Sequence, residues 1–189
     1  MLKKLVLVAL SLLLIFSTLG CGKPGYLKEL GKSKIGVTWE GDKSYSWLVS
    51  QELKKRTKLN IVDDQNLPQL ADYQSQGQLA KLGNQHKIDF ILVCSLPYIG
   101  NLEQKSNFSV AHNGVGINVT YKRKVHLAYK VIDVSTGEML LSGVKEGEGN
   151  HNLYVRFGLE GASARLRPAD EDALLMDAIK NAIRHSELL

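Results

Sequence analysis

The sequence predicts an α/β (α+β) sandwich: a mixed sheet with helices packed on it, and a β-rich region ahead of the last helix. Three stretches carry that reading. Val125 to Gly143 alternates apolar with polar residues, concentrates turn formers at Asp133, Thr136, Gly137 and Glu138, and returns as Met139-Leu140-Leu141. That is the two-residue period of a long antiparallel hairpin with one buried face. Ile88 to Leu96 is apolar on both faces, as a central strand covered on two sides requires. Near the C-terminus, Leu174, Leu175, Ala178, Ile179, Ala182 and Ile183 form one helical stripe, which predicts a packing helix.

Taken in order, the chain opens with a segment that is not part of the fold. Met1-Leu2-Lys3-Lys4 is a cationic start, Leu5 to Phe16 is an apolar run, and Leu19-Gly20-Cys21 closes it. The run is short of the ~20 residues a spanning helix needs, so residues 1–20 read as a signal peptide. The ending resembles a bacterial lipobox, which makes Cys21 the expected site of lipid attachment. Gly22 stands where an inner-membrane retention aspartate could have been, which points to the outer membrane. Residues 21–32 have tether composition, and residues 33–189 form the expected periplasmic domain. Without Lys3 and Lys4 the formal charge falls from +5 to +3, too mild a balance to argue for nucleic acid.

Ile35, Val37 and Trp39 alternate as a first strand. Ser44 or Ser46 is placed to cap a helix carrying Leu48, Val49 and Leu53, which ends in Lys54-Lys55-Arg56. Leu59 to Val62 reads as a second strand. Ser75 and Gln78 suggest a capping box ahead of Leu79, Ala80 and Leu82. The central strand is expected to end at Pro97. Asn113-Gly114 is a hairpin turn signal, and Val115, Ile117, Val119 and Tyr121 alternate beyond it, so one strand could run from Val115 to Val134. After Glu146-Gly147-Glu148-Gly149, Leu153, Val155 and Phe157 alternate in an arm of about five residues, before a turn through Gly158 to Gly161. If the first turn centres near Thr136, Glu146 and Glu148 lie opposite His126 and Lys124. Pro168 suits the first turn of the last helix, with Asp170, Glu171 and Asp172 at its start.

No phosphate-binding loop and no nucleophile elbow occur. His86, His112, His126, His151 and His185 are scattered without metal-ligand spacing, and Cys94 reads as a buried small hydrophobe. The expectation is no catalytic residue, no metal, no cofactor and no enzyme.

Several segments together resemble the curli-secretion (CsgG) lipoprotein family across nearly the whole mature chain. They are Ile61-Val62-Asp63 followed by Gln65-Asn66-Leu67, then Asp89 to Leu96, then Gly114-Val115-Gly116 with Tyr121, and most specifically Val131 to Glu138. Cys94 stands where that family has glycine. The resemblance implies a TolB-N-like periplasmic domain on an outer-membrane lipid anchor, held by lipidated Cys21. It also implies identical subunits in a ring, two hairpins per subunit joining into a barrel, and a secreted protein partner in curli-type assembly. The matching hairpin segments are 101–121 and 146–167. Their candidate membrane or oligomer residues are Phe108, Val110, Val115, Ile117, Val119, Tyr121, Leu153, Val155 and Phe157. A second expectation is a poreless periplasmic regulatory or binding lipoprotein, an activator of cell-wall synthases, contacting its partner through Lys122-Arg123-Lys124, Arg165 and Arg167. A third is a structural envelope lipoprotein.

Overall fold

The computed structural model describes residues 26–41, 43–62, 67, 76–112, 114–158, 161–165 and 169–189. The lipobox, Cys21, Asp63–Asn66, the Ser75 cap, Arg167 and Pro168 lie outside the described residues.

The fold is the mixed α/β sandwich that the sequence predicts. Strands β1 (Lys34–Trp39), β2 (Asn60–Val62) and β3 (Phe90–Ile99) are parallel, with β1 in the middle. Helix α2 (Ser46–Arg56) connects β1 to β2, and α3 (Gln76–His86) precedes β3. The two crossovers run in opposite directions along the sheet. Right-handed connections therefore put the two helices on opposite faces. Two cores result. Leu92 and Cys94 face the α2 side with Leu48 and Leu53, while Ile91 and Val93 face the α3 side with Leu79 and Leu82. The first half of β3, Phe90 to Cys94, is apolar on both faces because both are covered there.

Antiparallel strands complete the sheet. β5 (Gly114–Asp133) pairs β3 and β6 (Met139–Gly158). β4 (Glu103–Ala111) pairs the first half of β5, and β7 (Gly161–Arg165) pairs the end of β6. Helix α4 (Glu171–Arg184) lies on β5 and β6, and all six residues of its predicted stripe are buried. Asp170 is its N-cap, accepting from the Asp172 and Ala173 amides at 3.0 and 3.2 Å.

Four local expectations are corrected. Neither Ser44 nor Ser46 is the N-cap residue of α2. The chain enters through a 3-10 turn, Lys43–Tyr45, so Ser46 is already helical and Tyr45 occupies the cap position without a side-chain bond. The central strand does not stop at Pro97. Its pairing with β5 skips between Ser95 and Tyr98, and this irregularity accommodates a residue with no amide hydrogen. Within the predicted tether, Tyr26–Glu29 is a helical turn, α1, whose Tyr26 and Leu27 amides bond the carbonyls of Glu187 and Leu188. Leu27 is fully buried there, an apolar contact that composition alone does not show. Finally, Leu153–Phe157 is no five-residue arm but part of a 20-residue strand.

The β5–β6 turn is built by one carboxylate. Asp133 Oδ1 accepts from the Ser135 amide (2.7 Å), the Ser135 hydroxyl (2.6 Å) and the Thr136 amide (3.2 Å). Gly137 takes φ 70°, which suits glycine. The Ser135 hydroxyl bond, helped by the two amides, holds the Asp133 carboxyl below its ordinary range against the opposing effect of desolvation. A lowered folded pKa stabilises above the unfolded value and loses that contribution as pH falls through the folded one. Asp133→Ala is therefore expected to cost about 1 kcal/mol at neutral pH, and the deficit to shrink below about pH 4, in urea titrations at both pH values.

Candidate functional site

The residues of interest lie where β5 and β6 outrun the core. Residue 125 onward on β5 is covered by α4 and flanked by β3; the preceding half is flanked by β4 instead. Together β4, the first half of β5, the second half of β6 and β7 form a four-stranded antiparallel ribbon.

Register decides its faces, because directly paired residues project to the same side. Val110 pairs Val115, Phe108 pairs Ile117, Ser106 pairs Val119 and Gln104 pairs Tyr121. Across the other edge of β5, Val115 pairs Phe157, Ile117 pairs Val155, Val119 pairs Leu153 and Tyr121 pairs His151. Ala162 and Ala164 of β7 continue two of these rungs. All nine residues singled out from the sequence thus share one face. Phe108, Val110, Ile117 and Phe157 are exposed, at 67%, 72%, 43% and 56%.

This apolar face continues the core face of the same strand. Val125, Leu127, Tyr129 and Val131 are buried on the side that Val115 to Tyr121 occupy farther along. Helix α4 covers the first set, and nothing in the described chain covers the second. The opposite face of the ribbon is polar: Lys105, Asn107 and Ser109, then Asn118 and Thr120, then Asn152, Tyr154 and Arg156. A shallow groove of about 520 Å³ runs along it beside Gly114 and Gly116. Among the described residues, the outer edges of β4 and β7 have no partner strand.

Below the ribbon, the predicted register holds: His126 stands opposite Glu146 and Lys124 opposite Glu148. The ion pairs are diagonal as well as direct. Lys122 meets Glu148 at 2.9 Å, Lys124 meets Glu146 at 3.1 Å, and His126 approaches Glu146 at 3.6 Å. Hydrogen bonding to Glu146, with its charge, raises the Lys124 pKa, and the Lys122 hydrogen bond lowers that of Glu148. Arg123 reaches Glu171 at 3.4 Å and the Gly100 carbonyl. Each residue of the Lys122–Lys124 run thus holds an ion-pair partner within the fold.

Three features were not foreseen. Gly147 and Gly149 lie beneath α4, and a Cβ at Gly147 would stand 2.6 Å from the Ala182 nitrogen. Glu52, at 1% exposure, receives Arg184 at 3.2 Å and Arg56 at 3.3 Å. A groove of about 500 Å³ opens between α3 and the hairpin turn, beside Asn84, Lys87, Asp89 and Ser135. No sequence signal marks the first two, since each depends on a partner distant in the chain. Cys94 is 1% exposed, and desolvation pushes its thiol well above the ordinary range, which leaves it inert. Among the described residues, no helix is long and apolar enough to cross a membrane, and no group of His, Cys, Asp or Glu could hold a metal ion.

No protein-family model matches the chain, and no curated protein matches it. Solved structures do. A hypothetical protein from Chlamydia trachomatis aligns at 14% identity and TM-score 0.44, over 82% of this chain and 92% of its own. TolB from Acinetobacter baumannii aligns at 13% and 0.34, over 60% of this chain and 22% of its own. Lipoprotein GNA1162 from Neisseria meningitidis aligns at 13% and 0.36, over 82% and 99%. Likeness at this level carries no argument about function. The resemblance to the curli-secretion family rests on the motifs in the sequence.

Proposed function

We propose that this protein is a lipid-anchored outer-membrane lipoprotein of the curli-secretion type, without catalytic activity. Its subunits assemble in a ring and join their ribbons into a transmembrane β-barrel that serves protein export. The observation that carries the reading is the uncovered apolar face of β4–β7, set against a polar face on the same strands. Water gives no reason to keep such a face bare, and contiguous exposed apolar patches mark interaction surfaces.

The dimensions agree for β4, β5 and β6, while β7, Gly161–Arg165, has five residues. A spanning strand needs ~9–11 residues, and β4 has nine, Glu103–Ala111, with a matching stretch of β5. On β5 the apolar positions from Val115 to Tyr121 cover ~20 Å of strand, against the ~25 Å band of known barrels, and the two rungs nearest the core also carry Ser106, Gln104 and His151. Aromatic rings sit at both ends, Phe108 and Phe157 toward the tip and Tyr121 toward the core. The up-down order also lets β7 of one subunit pair antiparallel with β4 of the next, which covers the edge of β7 and five of the nine residues along the edge of β4. Lipid at Cys21 would hold the periplasmic body against the membrane; because α1 docks beside the C-terminal tail, the anchor enters the domain at a fixed point.

The test is the full lipidated chain in detergent. A mass several times that of one subunit by light scattering, and discrete conductance in planar bilayers, are the expected results. A silent monomer that binds a periplasmic enzyme would favour the regulatory reading instead. Ile117→Lys puts a charge on the lipid face at a cost of about 2–4 kcal/mol near the bilayer centre. It is expected to abolish conductance while leaving the circular dichroism of the periplasmic domain unchanged.

A further inference from the structure

The polar face of the ribbon sorts its charges by height. Two of its rungs each bring one cation: Lys105 pairs Thr120, and Arg156 pairs Gly116. Residues 104–121, 149–158 and 161–165 contain no Asp or Glu. Glu160, between β6 and β7, lies outside the described residues. Acids begin one rung lower, with Glu103 opposite Lys122, and there they are matched by cations: Lys122 with Glu148, Lys124 and His126 with Glu146. Among the described residues, Lys105 and Arg156 have no acidic neighbour in ion-pair range.

The two rungs lie ~13 Å apart along the strand, more than the ~8 Å Debye length of physiological salt, so in open water they would act separately. Around a closed ring the pattern repeats with each subunit, and a channel walled by low-dielectric protein concentrates the field along its axis. The neutral lining between the cations, Asn107, Asn118 and Asn152, offers polar contacts but no compensating charge.

We infer that the passage lined by this face is selective for anions, and so admits negatively charged solutes in preference to cations. The inference rests on the barrel reading above. Its test is the reversal potential of the full lipidated protein in planar bilayers under a potassium chloride gradient. Chloride is expected to permeate at least about threefold better than potassium at 0.1 M salt, with the preference fading at 1 M, where screening shortens to ~3 Å. The variant Lys105→Glu/Arg156→Glu should reverse the sign. Because that variant could fail to assemble, Lys105→Gln/Arg156→Gln serves beside it and should bring the ratio toward one. A conducting wild type with potassium preference, or a ratio unmoved by the neutral pair, overturns the selectivity and leaves the barrel standing. A wild type that never conducts overturns both.

Discussion

Gly149→Ala and Gly147→Ala are each expected to destabilise the fold by about 3 kcal/mol, at the upper end for overpacked contacts. At Gly147 an added Cβ would collide with the Ala178 carbonyl and come within 2.6 Å of the Ala182 nitrogen and 2.8 Å of the Ala182 Cβ. At Gly149 it would collide with the Leu174 carbonyl and reach 2.9 Å from its carbon. These neighbours are helix backbone, which cannot rotate aside as a long side chain could. Helix α4 would have to lift from β5 and β6, and its buried stripe, Leu174 to Ile183, would lose contact with Val125 and Leu127. Equilibrium urea unfolding of the unlipidated chain measures the loss. An unchanged midpoint in both variants would show that α4 does not seat on β6 in this way. The loss should appear in the domain, not in the ribbon, because both glycines lie where α4 crosses β6.

Arg184→Ala is the second large effect. Glu52 on α2 is 1% exposed, and Arg184 on α4 reaches it from 132 positions away, with Arg56 and Lys55 adding charge from its own helix. Burial alone would raise the Glu52 pKa. The hydrogen bonds from Arg184 and Arg56, with the charges of Arg184 and Lys55, outweigh it and leave the carboxyl below its ordinary value. Removing one partner of a buried pair strands the other. With Arg56 and Lys55 still present, the expected cost at neutral pH is about 2 to 3 kcal/mol.

The sign with pH follows from the direction of the shift. A lowered folded pKa contributes stability that is present above the unfolded value, about 4.3 for glutamate, and lost as pH falls through the folded one. In Arg184→Ala the lowering influence of Arg184 is gone, that of Arg56 and Lys55 remains, and burial favours the neutral acid. The gap between wild type and variant should therefore narrow below about pH 4. Urea midpoints at pH 7 and pH 3.5 measure it; a gap that stays constant would mean that Glu52 is not the group left stranded. Glu52→Gln in the Arg184→Ala background should recover part of the loss at neutral pH, since a neutral amide does not need the guanidinium.

The sequence by itself determined the faces. Alternation is a local property, so Val115 to Val131 was legible as one strand with one apolar side, and Asp133 to Glu138 as its turn. The stripe from Leu174 to Ile183 needed only the helical period. Even the pairing of Glu146 with His126 followed from counting outward from Thr136. Three things were decided only by the tertiary structure. The docking of α4 on Gly147 and Gly149 was invisible because a bare backbone matters only when something lies against it; in the sequence those glycines only alternate with Glu146 and Glu148. The Glu52–Arg184 pair joins two helices far apart in the chain, and each residue alone resembled any exposed charge on a helix. The ribbon as a single surface was the third. Period-two patterns assign each strand's apolar side but not which strands stand together, and only register put Phe108, Ile117 and Val155 on one rung. It was the length of α4, not any feature of β5, that set where the covered half of that face stops and the bare half begins.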